Sequence, residues 1–162
     1  MKKLLTVLII VYVLLGCSSM QTARPQQRPT DLSAHAMFVK SQDLEWKKIM
    51  PELGDDSPEI VTLRVDPKTQ ATQLMIRVPK NFHVPKHWHT ANETHTILSG
   101  TFIMEGEGKR AELGPDSFNY IPRKMIHEAW TKPDEGALLF ITVDGGWDVN
   151  WVDGPPQATK TR

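Results

Sequence analysis

The side chains best suited to chemistry lie close together in the sequence, in a segment that contains His87, His89 and Glu93. On a β-strand, side chains two residues apart point to the same face, so the two imidazoles would project together. Glu93 has the same parity and can return to that face after a bend at residues 90–92. Pro85 disfavours a helix, in which the two imidazoles would point about 200° apart.

Two imidazoles and one carboxylate on one side of a sheet form a three-ligand cradle. Divalent transition metals prefer this mixture of nitrogen and oxygen donors. Taken singly, each histidine would more often be an ordinary surface residue, and Glu93 could be a hydrogen-bond partner. The spacing of all three together favours a metal site.

The elements that must position these residues are short strands. Turn residues such as Gly114-Pro115-Asp116 and Asp144-Gly145-Gly146 recur at close spacing, and no apolar helical period lasts past three turns. This pattern is typical of an antiparallel sandwich or barrel. Residues 41–50 could form a helix, or equally a strand with a loop. The predicted strands are 59–65, 73–78, 94–98, 101–105, 117–121, 127–131, 138–143 and 148–152.

The first motif resembles a known signature. The spacing H-x-H-x3-E-x6-G, from His87 to Gly100, is similar to the first signature of the cupin superfamily. That family normally has a glycine six residues before the first histidine, where this chain has Asn81. Asparagine is, after glycine, well able to adopt a left-handed conformation, so the turn is expected to be kept.

The second cupin signature is also recognisable. It has a proline, a glycine two residues later and a metal-binding histidine three residues beyond. This chain keeps Pro122 and His127 but has Lys124 in place of the glycine, and Thr131 where an asparagine is often found. The lysine puts the conformation of the turn in doubt more than the ligand.

The resemblance extends to the small, single-domain bacterial cupins, which include the ChrR-type cupins. It implies an all-β fold, a single jelly-roll β-barrel over residues 35–156, with a polar tail at 157–162. It also implies one divalent metal ion near one mouth of the barrel, with Fe(II) or Mn(II) favoured over Zn(II) or Ni(II). The implied ligands are His87, His89, Glu93 and His127.

Two functions follow from such a site. The first is a mononuclear non-haem metal enzyme, dioxygenase-like, acting on a small oxygenated organic molecule. In this enzyme the catalytic residue would be His95, which shares the parity of Glu93 and could move protons. The alternative role for His95 is that of an interior histidine satisfied by a backbone carbonyl. The second function is a non-catalytic metal-binding or sensing protein of the cell envelope.

The chain begins with a segment that has the order of a secretory signal peptide. Two lysines precede an apolar run from Leu4 to Leu15, which is too short at about 18 Å to cross a hydrocarbon core of about 30 Å. The end of this segment, Leu14-Leu15-Gly16-Cys17, resembles the lipobox of bacterial lipoproteins, although that family prefers a smaller residue where Leu15 stands.

The lipobox resemblance implies that residues 1–16 are removed and that Cys17 is acylated. Residues 17–34, rich in Ser, Thr, Gln and Pro, would then be a flexible linker between the domain and a membrane. The protein would be exported and lipid-anchored in the cell envelope. In a cell with two membranes, the anchor would lie in the outer membrane or at a periplasmic face.

Composition limits the other partners. Cys17 is the one cysteine, so no intramolecular disulfide can form. The chain has 19 basic and 19 acidic residues, and no basic surface for nucleic acid is expected. Trp88 and Trp130 have the opposite strand parity to the implied ligands, so their side chains should face away from the metal. They are expected between sheets or at the interface of a homodimer.

Overall fold

The computed structural model describes residues 36–157. The predicted signal peptide, the Cys17 lipidation site, the linker and residues 158–162 of the tail lie outside the described residues. Within residues 36–157, no helix is long and apolar enough to cross a membrane.

Strands dominate the described part of the chain, with two 3-10 helices at Ser41–Asp43 and Pro51–Asp56. The strands are β1 (Lys47–Lys48), β2 (Glu59–Val65), β3 (Thr72–Val78), β4 (His83–Trp88), β5 (Glu93–Gly100), β6 (Phe102–Gly106), β7 (Lys109–Leu113), β8 (Phe118–Ile121), β9 (His127–Thr131), β10 (Ala137–Val143) and β11 (Asn150–Trp151).

The strands form two antiparallel sheets. One sheet has six strands in the order β1-β2-β3-β10-β5-β8, and the other has five in the order β11-β4-β9-β6-β7. The fold is a jelly roll, the architecture that the cupin resemblance implies. Among the described residues no strand belongs to both sheets, so the predicted barrel is two facing sheets rather than a closed cylinder.

The core lies between the two sheets because one face of each inner strand is apolar. Along β3, β9 and β10 buried residues alternate with more exposed ones. Leu74, Ile97, Ile121 and Leu139 are at most 1% exposed and form the centre of this core. Burial of this apolar face is the main favourable term for the domain.

The predicted strands 59–65 and 127–131 coincide with β2 and β9. The prediction missed β7, whose side chains are exposed at four of five positions, so that no buried face produces an alternating pattern. The strand predicted at 148–152 shortens to Asn150–Trp151. Residues 41–50 are not an α-helix, because they contain the 3-10 turn Ser41–Asp43 and β1.

The two residues that replace glycine in the cupin signatures both keep the left-handed turn that glycine would provide. Asn81 has φ +54° and donates its backbone N–H to the carbonyl of Lys132 at 2.7 Å. Lys124 has φ +63°, and its N–H donates to the carbonyl of His89 at 2.8 Å. The turn at Lys124 is therefore tied directly to one of the histidines of the first signature.

Gly100 closes the first signature at a point where two backbones nearly touch. Its φ is +74°, and a Cβ there would lie 1.9 Å from the carbonyl oxygen of Gly136. Gly100→Ala should therefore lower the free energy of unfolding by roughly 3 kcal/mol, from conformational strain plus the clash. Urea unfolding measures this change.

The matched control is Gly108→Ala, because Gly108 has a similar φ of +71° but no atom within 4 Å of the added Cβ. It should lose only the conformational part, about 1 kcal/mol. Equal losses for the two variants would contradict the steric explanation.

Candidate metal centre

Three histidines meet at one end of the sandwich, and Glu93 lies beside one of them, His89. His87 and His127 are direct cross-strand partners on β4 and β9. His89 follows the end of β4, and Glu93 is the first residue of β5 in the six-stranded sheet. The structure thus brings together residues from both signatures, although His87 and His127 are 40 positions apart in the sequence.

The three histidines form a compact, buried group. His87, His89 and His127 are 5%, 4% and 2% exposed, and one ring nitrogen of each lies within 4.8 Å of the others. The ring centroids of His87 and His127 are 4.1 Å apart, and those of His89 and His127 are 5.1 Å apart. Three neutral imidazoles at this spacing can hold a metal ion.

Each imidazole is oriented by a backbone carbonyl at its Nδ1 atom. The distances are 2.7 Å from His87 to Pro85, 2.5 Å from His89 to Asp148, and 3.1 Å from His127 to Met125. A carbonyl can only accept, so each Nδ1 carries a proton, and each Nε2 has a free lone pair when its imidazole is neutral. Metal-ligating histidines are typically oriented in this way.

Glu93 is a carboxylate almost completely removed from solvent, at 1% exposure. Its Oε1 atom accepts a hydrogen bond from the indole N–H of Trp147 at 3.1 Å. Its Oε2 atom lies 2.7 Å from Nε2 of His89 and 3.5 Å from Nε2 of His95, yet it has no partner with hydrogen-bond geometry.

This unpartnered oxygen fits a metal centre. Two donors bound at right angles to one ion, each at about 2.1 Å, lie about 3 Å apart and point at the ion rather than at each other. Oε2 and Nε2 of His89 are 2.7 Å apart without hydrogen-bond geometry, as expected for two donors that bind the same ion. The residues present therefore fit a cation at this point.

The electrostatics keep two imidazoles neutral. Burial, followed by the neighbouring His127, lowers the pKa of His87 to about 3, and burial lowers the pKa of His127 to about 4. Burial also acts to lower the pKa of His89, but the adjacent Glu93 carboxylate outweighs it and raises that pKa. The pKa of Glu93 is lowered, because His95 and His89 overcome the opposing effect of burial.

The four side chains border a mostly apolar cavity of about 80 Å³ between the sheets. His95 also lines this cavity, at 6% exposure, and its Nδ1 atom has no hydrogen-bond partner. The alternative considered for His95, satisfaction by a backbone carbonyl, is not observed. The apolar wall includes Val84, Phe102, Met104, Leu139, Ile141 and Trp151.

Sequence reasoning missed two residues that contact the candidate ligands. Trp147 donates to Glu93, and the backbone carbonyl of Asp148 accepts from His89. Both lie in the loop between β10 and β11. The turn residues Asp144-Gly145-Gly146 marked this loop, but no side-chain pattern linked it to the first signature.

The fold and the buried histidine group define a cupin-type jelly roll with a candidate metal site. The sequence matches the family model of the ChrR Cupin-like domain over residues 34–144, and the chain belongs to this family. No curated protein matches the sequence.

Many solved structures are similar in fold. The polyketide cyclase RemF from Streptomyces resistomycificus is 21% identical, with a TM-score of 0.61 over 73% of this chain and 86% of that one. An RmlC-like cupin from Ralstonia eutropha is 16% identical, with a TM-score of 0.62 over 78% and 79%. A "predicted oxalate decarboxylase" from Thermotoga maritima is 17% identical, with a TM-score of 0.57 over 67% and 98%. At these identities the likeness is one of fold alone.

The lowered pKa values predict that the metal-free protein loses stability in mild acid. Unfolded histidine titrates near 6.5, and His87 and His127 titrate at about 3 and 4 when folded. Protonation therefore favours the unfolded chain as the pH falls below 6.5. The contribution of His89, whose pKa is raised, grows as the pH falls through 6.5 and is complete below it, so it offsets only part of this loss.

Urea unfolding of the chelator-treated protein should show a free energy lower by roughly 2 to 4 kcal/mol at pH 5 than at pH 7. The variant His127→Gln should show a smaller difference between the two pH values. A wild-type free energy that does not change over this range would contradict the prediction.

Proposed function

We propose that the domain binds one divalent transition metal through His87, His89, Glu93 and His127, and that it is a dioxygenase-like enzyme acting on a small oxygenated organic molecule. One observation carries this proposal. Three clustered imidazoles, whose Nδ1 atoms face backbone carbonyls, line the same mostly apolar cavity as a carboxylate oxygen that has no hydrogen-bond partner.

The donor set supports a metal of intermediate softness. Three nitrogens and one oxygen, with no thiolate, suit Fe(II) or Mn(II), and also accommodate Zn(II) or Ni(II). Four protein ligands in an octahedral field leave two positions open. When bound, the ion would supply a Lewis acid that polarises a substrate oxygen, or a redox centre for dioxygen.

The surrounding residues would select and confine the substrate. A cavity of about 80 Å³ accepts a molecule of only a few heavy atoms unless its walls move. Its lining is mostly apolar, which lowers the local dielectric and strengthens electrostatic interactions at the site. His95 has a ring nitrogen without a partner and lies 3.5 Å from Glu93, so it is the group suited to hold or move a proton.

The solved structures with this fold include enzymes but do not identify the reaction of this chain. A polyketide cyclase and a "predicted oxalate decarboxylase" are among them. The same fold hosts many unrelated chemistries, so the proposal depends on the site.

The function is tested by metal analysis followed by oxygen uptake. Protein purified without added metal should contain about one equivalent of iron or manganese, or take it up after chelation. A panel of small oxygenated organic acids and ketones should then include one that stimulates oxygen consumption. Tightly bound zinc without any turnover would instead indicate a non-catalytic binding or sensing protein.

Loss of a ligand should abolish tight metal binding. His127→Ala removes a buried imidazole that is proposed to bind the ion directly. The dissociation constant for Mn(II) should therefore rise by more than about 100-fold, which exceeds the usual effect of losing a residue that only orients a ligand. Isothermal titration calorimetry measures this constant. The matched control is His83→Ala.

His83 is half-exposed and pairs with Glu128 at 3.0 Å on the outer face of the sheet. Its removal should leave Mn(II) binding unchanged. If both variants bind Mn(II) like the wild type, His127 is not a ligand.

We also propose that the domain is attached to a membrane through lipidated Cys17, with residues 17–34 as the linker. The lipobox-like Leu14-Leu15-Gly16-Cys17 supports this anchor. Cys17→Ala should move the protein from the membrane to the soluble fraction and abolish incorporation of radiolabelled palmitate. A variant that stays in the membrane fraction and is still labelled would contradict lipidation at Cys17.

A further inference from the structure

The loop between β10 and β11, residues 144–149, contacts the ligand-bearing segment at several points. Trp147 donates its indole N–H to Oε1 of Glu93 at 3.1 Å. The backbone carbonyl of Asp148 accepts from Nδ1 of His89 at 2.5 Å. One loop therefore orients two of the four candidate ligands.

Two carboxylates fasten this loop to residues 90–92. Asp148 accepts from the backbone N–H of Thr90 at 2.9 Å and from its hydroxyl at 2.5 Å. Asp144 accepts from the backbone N–H of Asn92 at 2.9 Å and from its side-chain amide at 2.5 Å. These paired contacts hold the backbone of the loop against the segment between His89 and Glu93, and so keep Trp147 close to Glu93.

The contact of Trp147 distinguishes the two oxygens of Glu93. Oε1 is occupied by the indole N–H, whereas Oε2 has no hydrogen-bond partner and lies next to Nε2 of His89. We infer that Trp147 is a positioning residue that restricts Glu93 to one metal-facing oxygen, Oε2. The inference rests on the proposed metal centre.

This restriction matters for the number of open coordination positions. A carboxylate that binds through both oxygens occupies one more position than a carboxylate that binds through one. By holding Oε1, the indole N–H keeps that position available for substrate. Trp147 also lines the cavity, so the same residue shapes both the ligand field and the substrate space.

The test uses Co(II) as a spectroscopic probe in the purified full-length protein. Trp147→Phe removes the N–H but keeps an aromatic ring, so Oε1 becomes free to turn toward the ion. The visible ligand-field bands should shift, because Oε1 takes one of the open positions, and Co(II) affinity should fall by about 10-fold to 100-fold, because Glu93 loses the group that orients it.

The matched control is Trp130→Phe. Trp130 stacks flat on His83, with ring centroids 4.9 Å apart, on the face of β9 that points away from the ligands. Its variant should keep the wild-type spectrum and affinity. If Trp147→Phe also keeps them, the inference is overturned while the metal centre stands. If the wild type takes up no Co(II), both are overturned.

A second measurement requires no substitution at position 147 and so does not depend on that variant folding. The five tryptophans of ¹⁵N-tryptophan-labelled protein should give five indole N–H resonances. One of them should move on addition of Zn(II), and the same one should move in Glu93→Gln. Indole resonances that respond to neither change would overturn the inference.

Discussion

The site depends on one electrostatic constraint, which is the burial of the Glu93 carboxylate. At 1% exposure this group cannot be solvated by water, and an unpaired charge in such a place is costly. Its lowered pKa keeps it ionised, and Trp147 compensates only one of its oxygens. The other oxygen lies beside His89, whose Nδ1–H donates to the carbonyl of Asp148, and beside His95, whose Nδ1 has no partner. A metal ion bound to this oxygen would compensate its charge.

Not every candidate ligand lies on a β-strand. His87 and His127 are held by a strand pair, whereas His89 lies just beyond β4, where the strand has ended. There the left-handed Lys124 donates its N–H to the carbonyl of His89. The turn that the cupin signature normally assigns to glycine is thus formed by a lysine, with the ligand geometry intact.

The sequence predicts those features that leave a local pattern. Alternation identified β9, because one face of it is buried, and β7 was missed because nearly all of it is exposed. The sequence places His87, His89 and Glu93 on one strand face by parity, whereas in the structure His89 lies beyond β4 and Glu93 reaches it from the other sheet. The role of Trp147 was not predictable, because it contacts Glu93 across 54 residues of chain. The contact of Asp148 with His89 was not predictable either, because it is made by a backbone carbonyl, which every residue has.

The two sheets share no strand within residues 36–157, yet the candidate donors come from both of them. His87 and His127 belong to one sheet and Glu93 begins a strand of the other. An ion held by all of them would be a removable cross-link between layers that otherwise adhere through apolar contact. Since a ligand that binds only the folded state stabilises it by mass action, the lifetime of the domain against proteolysis would then rise and fall with the metal supply around the cell.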